Sequence, residues 1–286
     1  MATVETAPIT AADATAAAQF LHDELNDRVS VAAWRALLQP PWGGSAPNHG
    51  FVLRDAGRIV GVYAAVYSER VTDGVPVRVC NLAAFCVREE HRMHALRLVR
   101  ALLKQPGFVF TDFSPSGNVV AMNERLGFRR LDGATRLVVN VPRPPTRGRR
   151  ITQDPGTIAA TLKGADADVH RDHRDAAAAR HLLVTRGDEY AYLVFRADSR
   201  KRLRLFATPL YVGGSRRLLE EAWGDVRAHL ILRHRLPFTL AERRILSFAH
   251  GLGRELPHPR PKMIRGDALP ATEVDYLYSE LALVGW

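Results

Sequence analysis

The apolar positions in the first half of the chain follow two different periods. Helical spacing predicts helices at 11–25, 30–38, 95–103 and 119–126. Consecutive or alternating apolar residues predict a hairpin at 50–67 and strands at 75–87, 108–113 and 136–141. Pro106-Gly107 ends the third helix, and Gly127 is typical of a residue that ends a helix. The predicted class is therefore α/β.

The second half partly repeats this order. Strands are predicted at 181–185, 190–195 and 203–212, followed by a helix over 216–234 and a strand at 237–241. The segment 276–284 alternates weakly, as a closing strand would. The pattern indicates a degenerate second copy of the first half without its first helix. A helix-flanked extension of a single domain is the alternative interpretation.

The segment VPRPPTRGRR at 141–150 separates the two halves. Its prolines and glycine oppose regular structure, and its arginines favour solvent. We expect one domain at 1–141, a linker at 142–150 and a second domain at 151–286.

Charge and composition narrow the class of protein. The net charge is +10, and it is uneven: residues 1–140 carry 15 basic and 13 acidic residues, which leaves 25 and 17 for the remainder. A basic excess attracts nucleic acid, anionic lipid or a polyanionic cofactor, or it is simply a solvated surface. No zinc-finger or helix-turn-helix pattern supports nucleic acid. The sequence shows no signal peptide and no apolar stretch of membrane-spanning length.

The spacing of the two cysteines indicates the redox environment of the protein. Cys80 and Cys86 lie on one predicted strand, about 20 Å apart, which is too far for a disulfide. We therefore expect a reducing cytoplasm. Cys86 is interpreted as a small core residue rather than a nucleophile.

The turn after the strand at 75–87 is a candidate anion site. A helix begins near His94, and a helix N-terminus presents free N–H groups and a positive dipole end. Arg88, Arg92 and Arg97 add positive charge. A pyrophosphate fits this arrangement.

These residues resemble the GNAT superfamily of acyl-CoA-dependent N-acyltransferases. In that family the fourth strand ends in Val, and a Q/R-x-x-G-x-G/A motif follows, whose amides hold the CoA pyrophosphate. Here Arg92 matches the first position, while Ala95 and Arg97 replace small residues. Asn118 and Leu126-Gly127-Phe128 match the Asn and the Leu-Gly-Phe triplet of a later helix.

The resemblance implies a mixed, mostly antiparallel central sheet flanked by helices, with a second, smaller and degenerate GNAT-like α/β half. It implies acyl-CoA as co-substrate, with pantetheine on the main chain of Phe85 and Val87. It also assigns cofactor-binding roles to further residues, which are Arg92, Met93, His94, Ala95, Leu96, Arg97 and Asn118.

The positions that hold the acid and the base in the family are occupied by asparagines. The usual Tyr aligns with Asn123 and the usual Glu with Asn81, and neither asparagine titrates usefully. Asn81 remains a candidate for holding a water or the acceptor by hydrogen bonds. Asp112, at the end of the fifth strand, is interpreted as a helix-cap or salt-bridge residue, with the catalytic base as the alternative that makes it a candidate.

Three features of the second half are weaker signals. His170 and His173 share a helix face, but no third ligand accompanies them, so we expect a solvated helix and no metal. Gly213-Gly214-Ser215 is read as a plain strand–helix connection, with a phosphate-binding turn as the alternative. The segment Tyr276–Leu281 is read as a packing strand, with a lining for an acceptor pocket as the alternative.

The expected function is transfer of an acyl group, most simply acetyl, from acyl-CoA to an amine. The acceptor is a small molecule or a peptide. The alternative is an inactive GNAT relic that binds acyl-CoA or a protein partner.

Overall fold

The structure is a computed structural model, and it describes residues 4–42, 46–201, 203–248 and 250–285. The first elements, in chain order, are β1 (Glu5–Pro8), α1 (Ala14–Glu24), α2 (Val31–Leu38), β2 (Gly50–Asp55), β3 (Arg58–Thr72), β4 (Val75–Val87), a 3₁₀ helix (Glu89–His94), α3 (Ala95–Leu103), β5 (Phe108–Asp112), α4 (Val119–Arg125), β6 (Arg129–Arg130) and β7 (Thr135–Val139). The remaining elements are β8 (Arg150–Thr152), α5 (Pro155–Thr161), α6 (Ala165–His173), β9 (Arg180–Arg186), β10 (Glu189–Arg200), β11 (Leu203–Gly214), α7 (Arg216–Glu221), α8 (Trp223–His234), β12 (Phe238–Glu242), β13 (Gly253–Glu255), β14 (Met263–Arg265) and α9 (Glu280–Leu283).

The chain divides into two compact units. Unit 1 contains the residues up to Leu131, together with Pro261–Val274 and Tyr278–Val284. Unit 2 contains Asp132–Arg260 and Asp275–Leu277. The boundary thus follows Leu131 instead of lying at 142–150, because β7 pairs with the strands of unit 2. Strand pairing along the backbone, which local composition does not reveal, sets the division.

Unit 1 is built on a seven-stranded sheet in the order β1-β2-β3-β4-β5-β14-β6. All its pairs are antiparallel except β4–β5, which is parallel. Helix α3 buries Leu98, Val99 and Leu102 in the core that the sheet presents. This apolar stripe at helical spacing is what stabilises α3 in place.

Unit 2 has a seven-stranded sheet with a matching spatial order, β8-β9-β10-β11-β12-β7-β13, although the sixth strand, β7, comes from the beginning of the unit and not from its end. Here β11–β12 is the parallel pair. The two mostly antiparallel sheets, each flanked by helices, confirm the predicted mixed α/β class. Their matching order supports the duplication, which stays a prediction.

Two expectations for unit 2 are wrong. Helices α5 and α6 precede β9, so the unit does not lack helices at its start. Helix α6 buries His170 and His173 instead of exposing them to solvent. The ring of His173 bonds to the carbonyl of Val169, and His181 bonds to the carbonyl of His173. These hydrogen bonds offset the cost of burying polar rings, and the sequence pattern does not show them.

The closing strands also differ from the sequence prediction. The strand expected at 136–141 exists as β7, but it belongs to the sheet of unit 2. The strand expected at 276–284 is absent from the described structure, and α9 lies there instead. In unit 1 the corresponding place in the sheet, between β5 and β6, is taken by β14, which was not predicted. The predicted helix at 216–234 is two helices, α7 and α8, that meet at Ala222.

No helix in the described ranges combines the length and apolar character needed to cross a membrane.

Candidate active site

The candidate site lies in unit 1, where β4 and β5 separate. Within the described residues their parallel ladder comprises the pairs from Arg78↔Phe108 to Asn81↔Thr111. Strand β4 then continues to Val87, still paired with β3 on its other edge. A register shift opposite Ala64 and Ala65 places an extra residue, Ala83, in β4. Such a bulge bends a strand, and it lies just beyond the last β5 pair.

The free edge of β4 offers backbone donors. Arg88 donates its N–H to the Val60 carbonyl, so that amide faces β3. Because N–H directions alternate along a strand, the amides of Phe85 and Val87 face the opposite, free edge. The structure thus brings the two predicted pantetheine contacts onto an edge that β5 has left.

Asp112, at the C-terminus of β5, is buried at this separation, with 4% of its surface exposed. Its Oδ2 accepts from Asn123 Nδ2 at 2.8 Å, and its Oδ1 accepts from the Ser114 backbone N–H at 3.3 Å. Burial raises the pKa of Asp112 to about 6, against the lowering effect of these two donors. No salt bridge to Asp112 exists among the described residues, and α4 receives no cap from it.

Asn81 lies on β4 opposite Thr111, the residue that precedes Asp112. Its Nδ2 donates to Thr111 Oγ1 at 3.2 Å, and its Oδ1 accepts from the backbone N–H of Glu280 at 3.4 Å. The two sequence-predicted catalytic candidates thus lie at neighbouring positions of the β4–β5 ladder, but on opposite faces of the sheet, because side chains alternate along a strand and Asn81 shares the face of Thr111. Asn123, which stands where the family places a Tyr, is fully buried and orients the Asp112 carboxylate.

Glu280 is a site residue that the sequence reasoning missed. It is fully buried at the start of α9, and its Oε1 accepts from Ser114 Oγ at 2.7 Å. Tyr63, on β3, faces the same group: burial raises its pKa well above the usual value, and the charges of Asp112, Cys80 and Glu280 raise it further. The sequence feature that could have identified Glu280 is that it is the single carboxylate within the largely apolar segment LYSELALV.

The predicted pyrophosphate-binding window is folded partly as expected. The 3₁₀ helix precedes α3, and Arg92 is exposed beside Glu89 at 3.5 Å. The Ala95 amide already bonds to the Arg92 carbonyl. Arg97 donates to the Val4 carbonyl at 2.8 Å, so its guanidinium is turned towards β1. The segment 92–97 remains a candidate for binding a pyrophosphate, and three of its residues, Arg92, Met93 and Leu96, are exposed.

Other predicted residues lie outside the buried group. Asn118 is exposed at the N-terminus of α4, and its side chain makes no capping bond. His94 is half-buried at the start of α3. Cys86 is half-buried and bonds to the Glu24 carbonyl, and burial together with the Glu24 charge raises its pKa to about 11. A thiol with this pKa is protonated near neutral pH, which agrees with the interpretation that it is not a nucleophile.

Unit 2 has a similar separation of strands with a different occupant. Strand β11 pairs with β12 only at Phe206 and Ala207 and then continues to Gly214. The Tyr276 N–H bonds to the Leu210 carbonyl at 3.1 Å, on the stretch beyond β12. Tyr276 also donates to Glu242, at the end of β12. The chain itself therefore covers this edge.

The close packing around Gly213 and Gly214 explains why both positions are glycines. A Cβ at Gly213 would overlap the Asp166 carboxylate, which accepts from the hydroxyls of Tyr190 and Tyr211. Ser215 caps α7 through the Leu218 N–H at 3.1 Å. The turn is accounted for as a strand–helix connection. In the parts of the chain that the structure describes, no group of three or more His, Cys, Asp or Glu side chains is arranged to hold a metal ion.

Comparison with known proteins identifies the fold of this chain, although the matching structures have low sequence identity to it. No protein-family model matches the chain. No curated protein matches it either. Solved structures do match. A GCN5-related N-acetyltransferase from Anabaena variabilis is similar over 92% of this chain and 72% of its own, with a TM-score of 0.60 and 12% identity.

Two further structures match nearly the whole chain. A putative acetyltransferase from Pyrococcus horikoshii covers 99% of this chain and 96% of its own, with a TM-score of 0.55 and 12% identity. The Saccharomyces cerevisiae N-myristoyltransferase with bound myristoyl-CoA covers 100% and 86%, with a TM-score of 0.51 and 10% identity. The chain has the GNAT fold, as the motifs at Arg92–Arg97 and Leu126–Phe128 predicted.

Proposed function

We propose that unit 1 transfers an acyl group from acyl-CoA to an amine. The observation that carries the proposal is the buried carboxylate of Asp112, placed where β4 and β5 separate, with a pKa raised to about 6. A carboxylate with this pKa is mostly ionised at neutral pH and is still a far stronger base than an ordinary aspartate. It supplies the ionisable group that Asn81 and Asn123 do not.

The acyl-CoA lies along the free edge of β4. The pantetheine amides bond to the main chain of Phe85 and Val87, whose N–H groups face that edge. The pyrophosphate lies against the 3₁₀ helix and the start of α3, with Arg92 and the 93–97 backbone as its binding residues, and Asn118 is a further cofactor-binding residue. The proposed acyl group is acetyl, the simplest choice.

The chemistry is aminolysis of a thioester. Asp112 removes a proton from the acceptor ammonium, and the neutral amine attacks the thioester carbonyl. The tetrahedral intermediate loses the CoA sulfur as its C–S bond breaks, and the second amine proton passes to the sulfur. The products are the amide and CoA-SH. Asn81, which is paired with the residue before Asp112, positions the acceptor or a water, and catalysis rests on this positioning and on proton removal.

The names of the similar structures support this class of reaction. The Anabaena variabilis and Pyrococcus horikoshii proteins are described as acetyltransferases, and the yeast structure contains myristoyl-CoA. The buried acidic group also favours an amine acceptor, because a carboxylate attracts an ammonium ion. The acceptor is a small-molecule or peptide amine. The cytoplasmic location stays a prediction.

The test measures thiol release from acetyl-CoA with a panel of small amines and peptide N-termini. We expect Asp112→Asn to lower kcat by at least about 100-fold, the usual contribution of a general base. Asp267→Asn, at a fully exposed carboxylate of unit 1, is the matched control and should not change kcat. We also expect kcat/KM to rise with pH through about 6. Full activity of Asp112→Asn would exclude Asp112 as the base.

Cofactor binding is tested separately by calorimetry with CoA. Val87→Pro removes one amide N–H from the edge of β4, and proline is tolerated there because this N–H points away from the β3 ladder. We expect CoA affinity to fall about fivefold, since a neutral hydrogen bond contributes about 1 kcal/mol. Unchanged affinity would show that pantetheine does not bond to this edge.

A further inference from the structure

Unit 2 contains a cavity of about 260 Å³ that the proposed reaction in unit 1 does not use. One wall is the chain between Arg143 and Ile151, and the other is helix α8 between Asp225 and Arg233. All of these residues belong to unit 2. Sites for drug-sized ligands have about 300–1,000 Å³, so this cavity suits a smaller molecule.

Asp225, in the first turn of α8, fixes one wall of the cavity onto the other. It is 7% exposed. Its Oδ1 accepts from Thr146 Oγ1 at 3.0 Å and lies 3.4 Å from Arg143 Nε, while its Oδ2 lies 3.4 Å from Arg149 Nη1. Arg149 also donates to the Glu221 carbonyl at 2.8 Å. Arg149 is therefore occupied in holding the wall in place.

The lining of the cavity carries more positive than negative charge. Three arginines line it, and in the described part of the chain Asp225 is the single carboxylate among the lining residues. Arg143 shares Asp225 with Arg149, and the side chain of Arg143 is 47% exposed. Arg233 is exposed and forms no hydrogen bond or ion pair with residues in the described ranges. Positive charge at Arg143 and Arg233 is thus left to attract an anion.

The effect of this charge extends to the neighbouring side chains. Burial lowers the pKa of Arg227, and the charge of Arg143 lowers it further. Burial also lowers the pKa of His229, and the charge of Arg233 adds to this effect. Helical side chains lean towards the helix N-terminus, so Arg233 reaches back along α8 towards His229. The level of His229 is about 6 Å along the helix from Asp225, which holds Arg143.

The remaining lining is mainly apolar, with the side chains of Pro145, Ile151, Ala228 and Leu232. Leu232 is 61% exposed, so a ligand that covers it removes apolar surface from water. An inorganic anion leaves this surface uncovered. A carboxylate with a short apolar group matches both parts of the lining.

We propose that this cavity binds a small organic acid, whose carboxylate lies between Arg143 and Arg233 and whose apolar part covers Leu232 and Ile151. The planar guanidinium of arginine is well suited to a carboxylate, which it can bind through two parallel hydrogen bonds. This binding site is a property of unit 2 and does not depend on acyl transfer by unit 1.

The test titrates the full chain with acetate, butyrate and inorganic phosphate and follows the ring signals of His229 by NMR. We expect butyrate to bind with a dissociation constant of about 1 mM, the scale that its few non-hydrogen atoms can reach. Acetate should bind about tenfold more weakly, because it lacks two CH₂ groups. Phosphate that binds as tightly as butyrate would overturn the assignment to an organic acid, and no saturable binding of any of the three would overturn the site.

Substitutions locate the binding. Arg143→Gln and Arg233→Gln should each weaken butyrate binding about tenfold, since each removes a charge-assisted hydrogen bond. Arg235→Gln, at an exposed residue of the same helix end that does not line the cavity, is the matched control and should leave the affinity unchanged. Leu232→Ser should weaken butyrate and leave acetate nearly unchanged. Arg233 and Leu232 are exposed, so their substitution preserves the fold. Unchanged butyrate affinity in both arginine variants would reject the proposed site.

Discussion

Asp112→Asn should stabilise the protein at neutral pH and much less at acidic pH. In the folded protein burial raises the pKa of Asp112 from 3.8 to about 6. Below 3.8 both the folded and the unfolded states carry the proton, so the charge costs nothing. Between 3.8 and about 6 the folded state binds more protons, and its free energy of unfolding falls as pH rises. Above about 6 the full cost applies, about 3 kcal/mol for this difference in pKa.

Asparagine at position 112 should fit the site without a large loss of stability from broken hydrogen bonds. It keeps the shape of the aspartate, and one of its two terminal atoms becomes a donor. Asn123 Oδ1 has no hydrogen-bond partner among the described residues, so a flip of the Asn123 amide presents an acceptor to the new donor. The Ser114 N–H can still bond to the remaining oxygen. The electrostatic cost of Asp112 should therefore dominate the difference between the two proteins.

Denaturant unfolding of both proteins at pH 4.5 and pH 7.5 provides the measurement. The linkage relation gives a cost of about 1 kcal/mol at the lower pH and about 3 kcal/mol at the higher one. The stability difference should therefore change by about 2 kcal/mol in favour of Asp112→Asn. Asp267→Asn should show no such change, because Asp267 is fully exposed. A difference independent of pH would refute the raised pKa and, with it, the argument that Asp112 is tuned as a base.

Three further predictions concern other parts of the molecule. Calorimetry should find one CoA per chain, because Tyr276 covers the edge of β11 in unit 2, whereas in unit 1 no backbone group of the described residues pairs with the β5 side of β4 beyond Asn81; two sites would contradict this. Cys86 should react with iodoacetamide near pH 7.5 at least about 100-fold more slowly than an unhindered cysteine, since burial raises its pKa to about 11; mass spectrometry that finds fast labelling in the folded protein would exclude this environment. Gly213→Ala should lower the free energy of unfolding by about 1–3 kcal/mol because its Cβ displaces the Asp166 carboxylate, whereas Gly156→Ala, which has room for a Cβ, should not; equal thermal stability of the two variants would argue against the Asp166 contact.

The sequence predicted those elements whose apolar pattern is long and regular. The second arm of the hairpin predicted at 50–67 is the start of β3, the strand predicted at 75–87 is β4, and the amphipathic stripe of Leu98, Val99 and Leu102 belongs to α3. These elements carry their own signal because each buries one face of a repeating pattern. The same elements define the edge of β4, so the position of this edge was predictable.

The short strands were not predictable in the same way. Strand β14 has only three residues, and it forms because β5 and β6 pair with it on either side. Strand β7 reads as the last strand of the first half, yet its partners are β12 and β13. Three to five residues of β pattern do not specify a partner, since any free edge satisfies the same backbone groups. The exchange of these two strands between the expected halves therefore became visible only in three dimensions.

The carboxyl groups of Asp112 and Glu280 also show which parts of the site the sequence could not predict. Asp112 was a candidate because it ends a strand in a recognised order, whereas Glu280 belongs to a segment whose place in the sheet order was not recognised. A glutamate among Leu277, Leu281 and Leu283 must be buried with those leucines, and a buried carboxyl needs a hydrogen-bond donor. The sequence thus implies that Glu280 has a polar partner without saying which one. The partner is Ser114, next to the β5 terminus, and this contact makes a residue of the C-terminal segment part of the Asp112 site.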